Sequence, residues 1–494
     1  MKRSVLAAAV VALVAGGAAV GSGTAVAAPP APSTGDGDSY GTAALVGRAV
    51  LPAETYRPGS APSGAFFSAT DRASARTNGI SVPDTGPALP AQPVQGFSAL
   101  IPTTKPGEFW ALSDNGYGAR GNSADFELFV HRVRPHLQQG AAAPGSVDVL
   151  GGFGLSDPYH RISWKIVCDP TSGTDLPPFN FNVLPATPPA LCGDAKQRRL
   201  TGFDLDLESV QIARDGTFWF GEEFGPFLVH TDKRGRLLEA PIPVPGARSP
   251  QNPFLDVAHG ERPTINGSKG LEGLGISPDR RTLFPLLEGA VTGDDPSDLR
   301  VYRFDIARRA FRGHDFYRLE LPSTVVNTSV LRLVDGSPAY PGDTPPPANL
   351  GKNAIGELTV LNNREAVVIE RDNGGDYPNA PRFRKVFRIG LGHGTGRVLP
   401  KAPLIDLMAV PDPDNTGRDG DYFRFPYATI ESIVPTGDRD LVLVDDNNFP
   451  FSNGRSFSQG ASPGKGLAAD PNEFIDVRVR PGLNVDPRLL RAPA

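Results

Sequence analysis

One pattern constrains this chain more than any other: a strand, a turn, a second strand ending in acid, and a third strand recur along its length. One unit reads Asp206-Leu207-Glu208-Ser209-Val210-Gln211-Ile212, turns at Asp215-Gly216, and continues through Phe218-Trp219-Phe220-Gly221-Glu222-Glu223 to a third run at 227–232. The next has Glu272 in its first strand, Glu288 after its second, and a third strand at 300–304. Two later units carry Glu357 with Glu370, and Glu431 with Asp445 and Asp446. A divergent early copy has Gln95 in the Glu position, a second strand at 109–112, and Asp114-Asn115 after it.

Repeats of this size mean stacked or radially arranged sheets, since one unit cannot bury its own apolar face. The anchors at 95, 208, 272, 357 and 431 leave one long first gap, with room for a degenerate module at 145–200. The expectation is an all-β chain folded as a closed β-propeller of six blades with long inter-blade loops. A strand at 44–50 completes the last blade and protects the edges that would otherwise pair with other chains. A β-sandwich is the competing arrangement.

The chain starts Met1-Lys2-Arg3, followed by an apolar run at 5–15 and the small residues Ala25-Val26-Ala27. That order describes an export signal too short to remain across a bilayer. The expected organisation is a signal peptide at 1–28, a disordered Pro- and Gly-rich leader at 29–40, and one propeller domain at 41–485. Secretion to the exterior or cell envelope follows, without stable membrane anchoring. Loss of Lys2 and Arg3 takes the formal net charge from −5 to −7. A mildly acidic surface without basic runs argues against nucleic acid as a partner. The two cysteines, Cys168 and Cys192, read in an exported chain as one disulfide stapling a Pro-rich loop.

Each strong unit has an acid before its turn and another after it, 14, 16, 13 and 14 positions apart. In an antiparallel hairpin such residues share the open end. Closing the units into a ring gathers Asp114, Glu208, Glu222, Glu223, Glu272, Glu288, Glu357, Glu370, Asp372, Glu431, Asp445 and Asp446 at one mouth. So many like charges demand neutralisation by protons, by Lys269 and Arg371, or by bound cations. Oxygen ligands without His or Cys suit one or more Ca²⁺ ions better than Mg²⁺ or Mn²⁺. Asp412-Pro413-Asp414-Asn415-Thr416-Gly417 opens like a calcium loop, but Phe423 stands where its last ligand belongs, so it reads as an acidic turn. No nucleophile elbow or zinc-protease motif is present, and His131 and His230 fall in apolar third strands, where packing is expected.

Ser113-Asp114-Asn115-Gly116-Tyr117-Gly118, Gly221-Glu222-Glu223-Phe224-Gly225-Pro226, Lys269-Gly270-Leu271-Glu272-Gly273, Glu370-Arg371-Asp372 and Asp445-Asp446-Asn447-Asn448-Phe449 resemble the phytase-like family, labelled "esterase-like activity of phytase". The resemblance implies a calcium-dependent phosphoester hydrolase acting on a small phosphorylated molecule. In that reading most of the acids are metal ligands, Glu223 or Asp446 is the general base, and Lys269 and Arg371 clamp the phosphate. Two other functions fit the same acids: a non-catalytic calcium-stabilised propeller that binds a partner or carbohydrate, and a metal-dependent sugar lactonase.

Overall fold

The computed structural model describes residues 42–170, 184–185, 187–256, 259–320 and 353–493. The expected signal peptide and leader lie outside the described residues.

The described residues form five four-stranded antiparallel units, each running from an inner strand outward. The first comprises β2 (Phe97–Pro102), β3 (Phe109–Ser113), β4 (Phe129–Pro135) and β5 (Gly145–Gly154). The second is β6 (Leu207–Ile212), β7 (Phe218–Glu222), β8 (Phe227–Thr231) and β9 (Ile242–Pro243); the third is β10 (Leu271–Ile276), β11 (Thr282–Leu287), β12 (Asp298–Asp305) and β13 (Ala310–Arg318). The fourth is β14 (Ala354–Val360), β15 (Glu365–Arg371), β16 (Arg384–Gly390) and β17 (Lys401–Asp406), followed by the small ribbon of β18 (Val410–Pro411) and β19 (Tyr422–Phe423). The last is β20 (Ser432–Pro435), β21 (Asp440–Val444) and β22 (Asn472–Arg480), completed by β1 (Thr42–Leu51). As the sequence led us to expect, the N-terminal strand joins the C-terminal blade, pairing antiparallel with β22 from Thr42↔Arg480 to Leu51↔Asn472. A short parallel pairing of β1 with β5 ties the first and last units together at their outer edges.

The fold is a β-propeller, with its core between the blades. Apolar clusters join blade one to blade two, blade two through blade three to blade four, blade four to blade five, and blade five back to blade one. The inner strands β2, β6, β10, β14 and β20 contact one another around a common axis. Among the described residues the count is therefore five units. The stretch expected to hold a sixth supplies β5 and then the loop stapled by the Cys168–Cys192 disulfide, whose Cα atoms are 5.1 Å apart.

The two mouths of the axial channel differ. At the C-terminal ends of the inner strands the lining is apolar, with Leu100, Ile212, Ile276, Val360 and Val434, and Leu489 of the C-terminal tail fills it to leave about 30 Å³. Arg280 holds the tail there, donating from Nη2 to the carbonyls of Arg491 (2.6 Å) and Arg488 (3.2 Å). At the N-terminal ends the acids gather.

Candidate functional site: an acidic pit at one mouth of the ring

The acids are aimed by a repeated irregularity in the backbone. Pairing between the first two strands of a blade slips between Phe97 and Ala99, Leu207 and Ser209, Leu271 and Gly273, and Ile355 and Glu357. The skipped residues are Ser98, Glu208, Glu272 and Gly356. A bulge of this kind takes its residue out of strict alternation and re-aims the side chain. In the fifth blade Glu431 holds the matching place, because Ser432 Oγ donates to the Phe97 carbonyl (3.3 Å) just as Ser209 Oγ donates to that of Leu271 (3.2 Å). Gly356 is small for a reason: a Cβ there would lie 2.1 Å from the Ile430 carbonyl oxygen.

A second tier comes from the residues just past each second strand. The amides of Asp114, Glu223 and Glu288 donate to the carbonyls of Gly96 (2.8 Å), Asp206 (2.9 Å) and Gly270 (2.9 Å), each two residues before a bulge. Arg371 pairs with Ala354 at the same place, and the Asp446 carbonyl accepts from Thr429 Oγ1 (2.8 Å). All five of these residues line one pit of about 180 Å³, together with Glu208, Glu272, Glu431, Asp206 and Lys269.

The remaining acids named from sequence are close by but do not line the pit. Glu222, Glu370 and Asp445 each immediately precede a second-tier residue, and strand alternation turns them away. Glu222 accepts from the amides of Phe224 (2.7 Å) and Gly225 (2.8 Å). Glu370 accepts from Tyr317 Oη, Lys401 Nζ and Asn353 Nδ2, each at 2.7 Å. Asp445 accepts from the Glu473 amide (2.6 Å), and Asp372 from that of Arg382 (2.7 Å). Glu357 falls one residue beyond its bulge and bonds the amides of Leu358 (2.7 Å) and Leu274 (3.1 Å). Gln95 stands three residues before its own bulge, bonding the Gly116 carbonyl (2.8 Å). Sequence reasoning passed over Asp206, which the structure puts in the pit. The signal was there, since Asp206 and Glu208 are two apart in the run leading into one strand.

His131 is packed between Phe97 and Phe129, and burial lowers its pKa to about 3. His230 stacks on Trp219 with centroids 4.1 Å apart. Both have the packing role expected of them. Asp412 accepts from the amides of Thr416 and Gly417 (2.7 Å each), closing the acidic turn.

The pit holds eight carboxyls against two cations. Burial, reinforced by neighbouring carboxylates, pushes Asp206, Glu208, Glu223, Glu272 and Asp446 well above the usual carboxylate range. Burial likewise raises Glu431, to about 7, although Arg371 opposes the shift. Arg371 Nη2 lies 3.1 Å from Glu431, 3.7 Å from Glu288 and 3.9 Å from Glu272, and Lys269 Nζ bonds Glu288. Asp206 Oδ1 and Glu272 Oε1 are buried without a hydrogen-bond partner. Two carboxylate triads, Asp114–Asp206–Glu208 and Glu223–Glu272–Glu288, each keep their ligand atoms within 4.8 Å of one another. Buried, oxygen-only and short of positive charge, these sets have the donor chemistry of a hard-cation site.

Among solved structures, the chain is similar to the calcium-binding protein regucalcin of Agrobacterium tumefaciens, at 9% identity and a TM-score of 0.29 over 78% of this chain and 92% of that one. It is also similar to the WD40 domain of Toxoplasma gondii coronin, at 11% identity and a TM-score of 0.29 over 81% and 86%. A relative in sequence is an uncharacterized secreted protein of Arthroderma benhamiae, 27% identical over 220 residues, which are 39% of this chain and 41% of that protein. This chain thus spans less than half the length of that relative. The family model described as phytase-like, esterase-like activity of phytase, matches residues 92–449. With most of the chain matched, from β2 to the far wall of the pit, the protein belongs to the phytase-like family.

Proposed function

We propose that this protein is a secreted phosphoester hydrolase that works with Ca²⁺ in the acidic pit. The observation that carries the reading is the charge imbalance: eight carboxyls facing two cations in a buried cavity open at one mouth. A phosphate ester is repelled by that surface unless divalent cations invert its field. The pit's carboxylates other than the proton acceptor would hold them. Bound there, a hard cation supplies charge for the phosphoryl oxygens and a lowered pKa for its water. Arg371 and Lys269 offer guanidinium and ammonium donors within the pit to orient the phosphate. Glu223 and Asp446, which line the same pit, would take the proton from the attacking water. The Cys168–Cys192 disulfide and the secreted relative support an extracellular setting.

The test is a screen of phosphomonoesters, phosphodiesters and sugar lactones, in Ca²⁺ and in chelator. The expected result is Ca²⁺-dependent phosphate release. Lactone opening without phosphate release would make the protein a lactonase. Cation binding without any turnover would make it a binding propeller for a partner or carbohydrate.

A further inference from the structure

The two carboxylate triads are not equivalent. Glu223–Glu272–Glu288 already has protein cations: Lys269 Nζ bonds Glu288, and Arg371 Nη2 stands 3.7 Å from Glu288 and 3.9 Å from Glu272. Asp114–Asp206–Glu208 has none within ion-pair distance among the described residues. Arg120 interacts electrostatically with Asp206, but its Nε is committed to the Phe203 carbonyl (2.6 Å) and its guanidinium lies over Phe203 and Phe224. Asp206 is 3% exposed and lines the pit, and its side chain meets the carboxyls of Asp114 and Glu208 while no amide, hydroxyl or cation donates to Oδ1. A buried carboxylate oxygen left bare is costly unless something fills the place.

We infer that the resident divalent cation is bound in the Asp114–Asp206–Glu208 corner, with Asp206 as an indispensable ligand, and that the Lys269–Arg371 corner is neutralised by the protein itself. The inference rests on reading the pit as a cation site and adds which half of it binds. Three carboxylates from two blades would leave several of the six to eight oxygen positions of a Ca²⁺ ion for water or an anionic substrate group.

Titration calorimetry with Ca²⁺ alone tests this without any substrate. Asp206→Asn keeps the side chain's size and removes its charge, and should lower Ca²⁺ affinity on the order of 100-fold. Glu208→Gln, on the same wall, should do likewise and serves if the first variant folds poorly. Glu288→Gln should bind Ca²⁺ within about threefold of wild type, a change under 1 kcal/mol. Wild-type affinity in both Asp206→Asn and Glu208→Gln, with loss in Glu288→Gln, would overturn the assignment yet leave the hydrolase reading standing. Loss in all three would overturn the single-corner assignment in favour of a site spanning both triads. A wild-type protein that binds no Ca²⁺ would remove the inference and the metal-dependent function together.

Discussion

Two buried assemblies of charge, one at the seam of the ring and one at its mouth, share their degree of burial and little else. At the seam, where β1 completes the last blade, Glu473 of β22 accepts from Arg48 of β1 and from Arg455 Nε (2.8 Å) and Nη2 (2.9 Å). Arg455 also meets Asp419 (3.1 Å) and Tyr427 Oη (2.9 Å). Two cations face two anions, and both Glu473 oxygens are satisfied. Burial works to raise the Glu473 carboxyl, but Arg455 and Arg48 override it and hold it down at about 2. In the pit equally buried carboxyls are pushed the other way. The sign of the shift follows the local count of cations: the seam pairs Glu473 with two arginines, whereas the pit sets eight carboxyls against two cations.

Removing the central anion of the seam should have the largest effect. Glu473→Gln leaves Arg48 without its anion and Arg455 with Asp419 alone, which should cost about 3–5 kcal/mol. Urea denaturation should show the midpoint falling while the slope stays constant. Unchanged stability would mean that the seam pairs are no more than packing.

Acid should have the next largest effect. Glu473 has a folded pKa of about 2 against an ordinary 4.5, so its contribution is full above pH 4.5 and is lost as pH falls from there toward 2. The loss amounts to ~3 kcal/mol for this group alone. Glu431 has the opposite sign: raised to about 7, it favours the fold below pH 4.5 and withdraws that support as pH rises through 7. In chelator the two slopes should meet in a stability maximum on the acid side of neutrality, seen by thermal melting across pH. A flat profile from pH 3 to 8 would contradict both assignments.

The comparison also marks what could be read from residues alone. Strand–turn–strand units were legible because apolar alternation and turns such as Asp215-Gly216 are local, and the return of β1 to the last blade follows from the need to close an edge. The gathering of acids at one mouth was legible too, since it depends only on where each turn lies. Which acid of an adjacent pair faces inward was harder. Alternation implies that Glu222 and Glu223, or Asp445 and Asp446, cannot both do so. Choosing between them takes the bulge position, which is set by pairing with a neighbouring strand. Glu357 was misaligned with Glu272 for that reason, by one residue. The charge pairing at the seam was out of reach, because Arg48 and Glu473 are 425 positions apart.

Cation supply should move the pit and leave the seam alone. At a Ca²⁺ concentration 100 times the dissociation constant, binding to the folded state contributes about 2.7 kcal/mol. Melting in Ca²⁺ against chelator should show that gain in wild type and in a variant of the seam such as Asp419→Asn alike. A gain that disappears with the seam variant would mean the two assemblies are coupled.

The smallest expected effect is a stabilisation. Glu272 Oε1 is buried without a hydrogen-bond partner, and Glu431, Glu288 and Glu223 crowd its carboxyl. Glu272→Gln removes one like charge from that crowd, while its new amide can donate to a neighbouring carboxylate. At pH 8 in chelator, where the pit acids are most ionised, the variant should be more stable than wild type by about 1 kcal/mol. The same exchange at Glu473 has the opposite sign and several times the size, although both residues are buried glutamates in β strands. In saturating Ca²⁺ the gain should shrink little if the cation occupies the Asp114–Asp206–Glu208 corner, and should reverse if Glu272 is itself a ligand. Chemical denaturation of the one variant under the two conditions therefore reads both the repulsion in the pit and the side on which it is relieved.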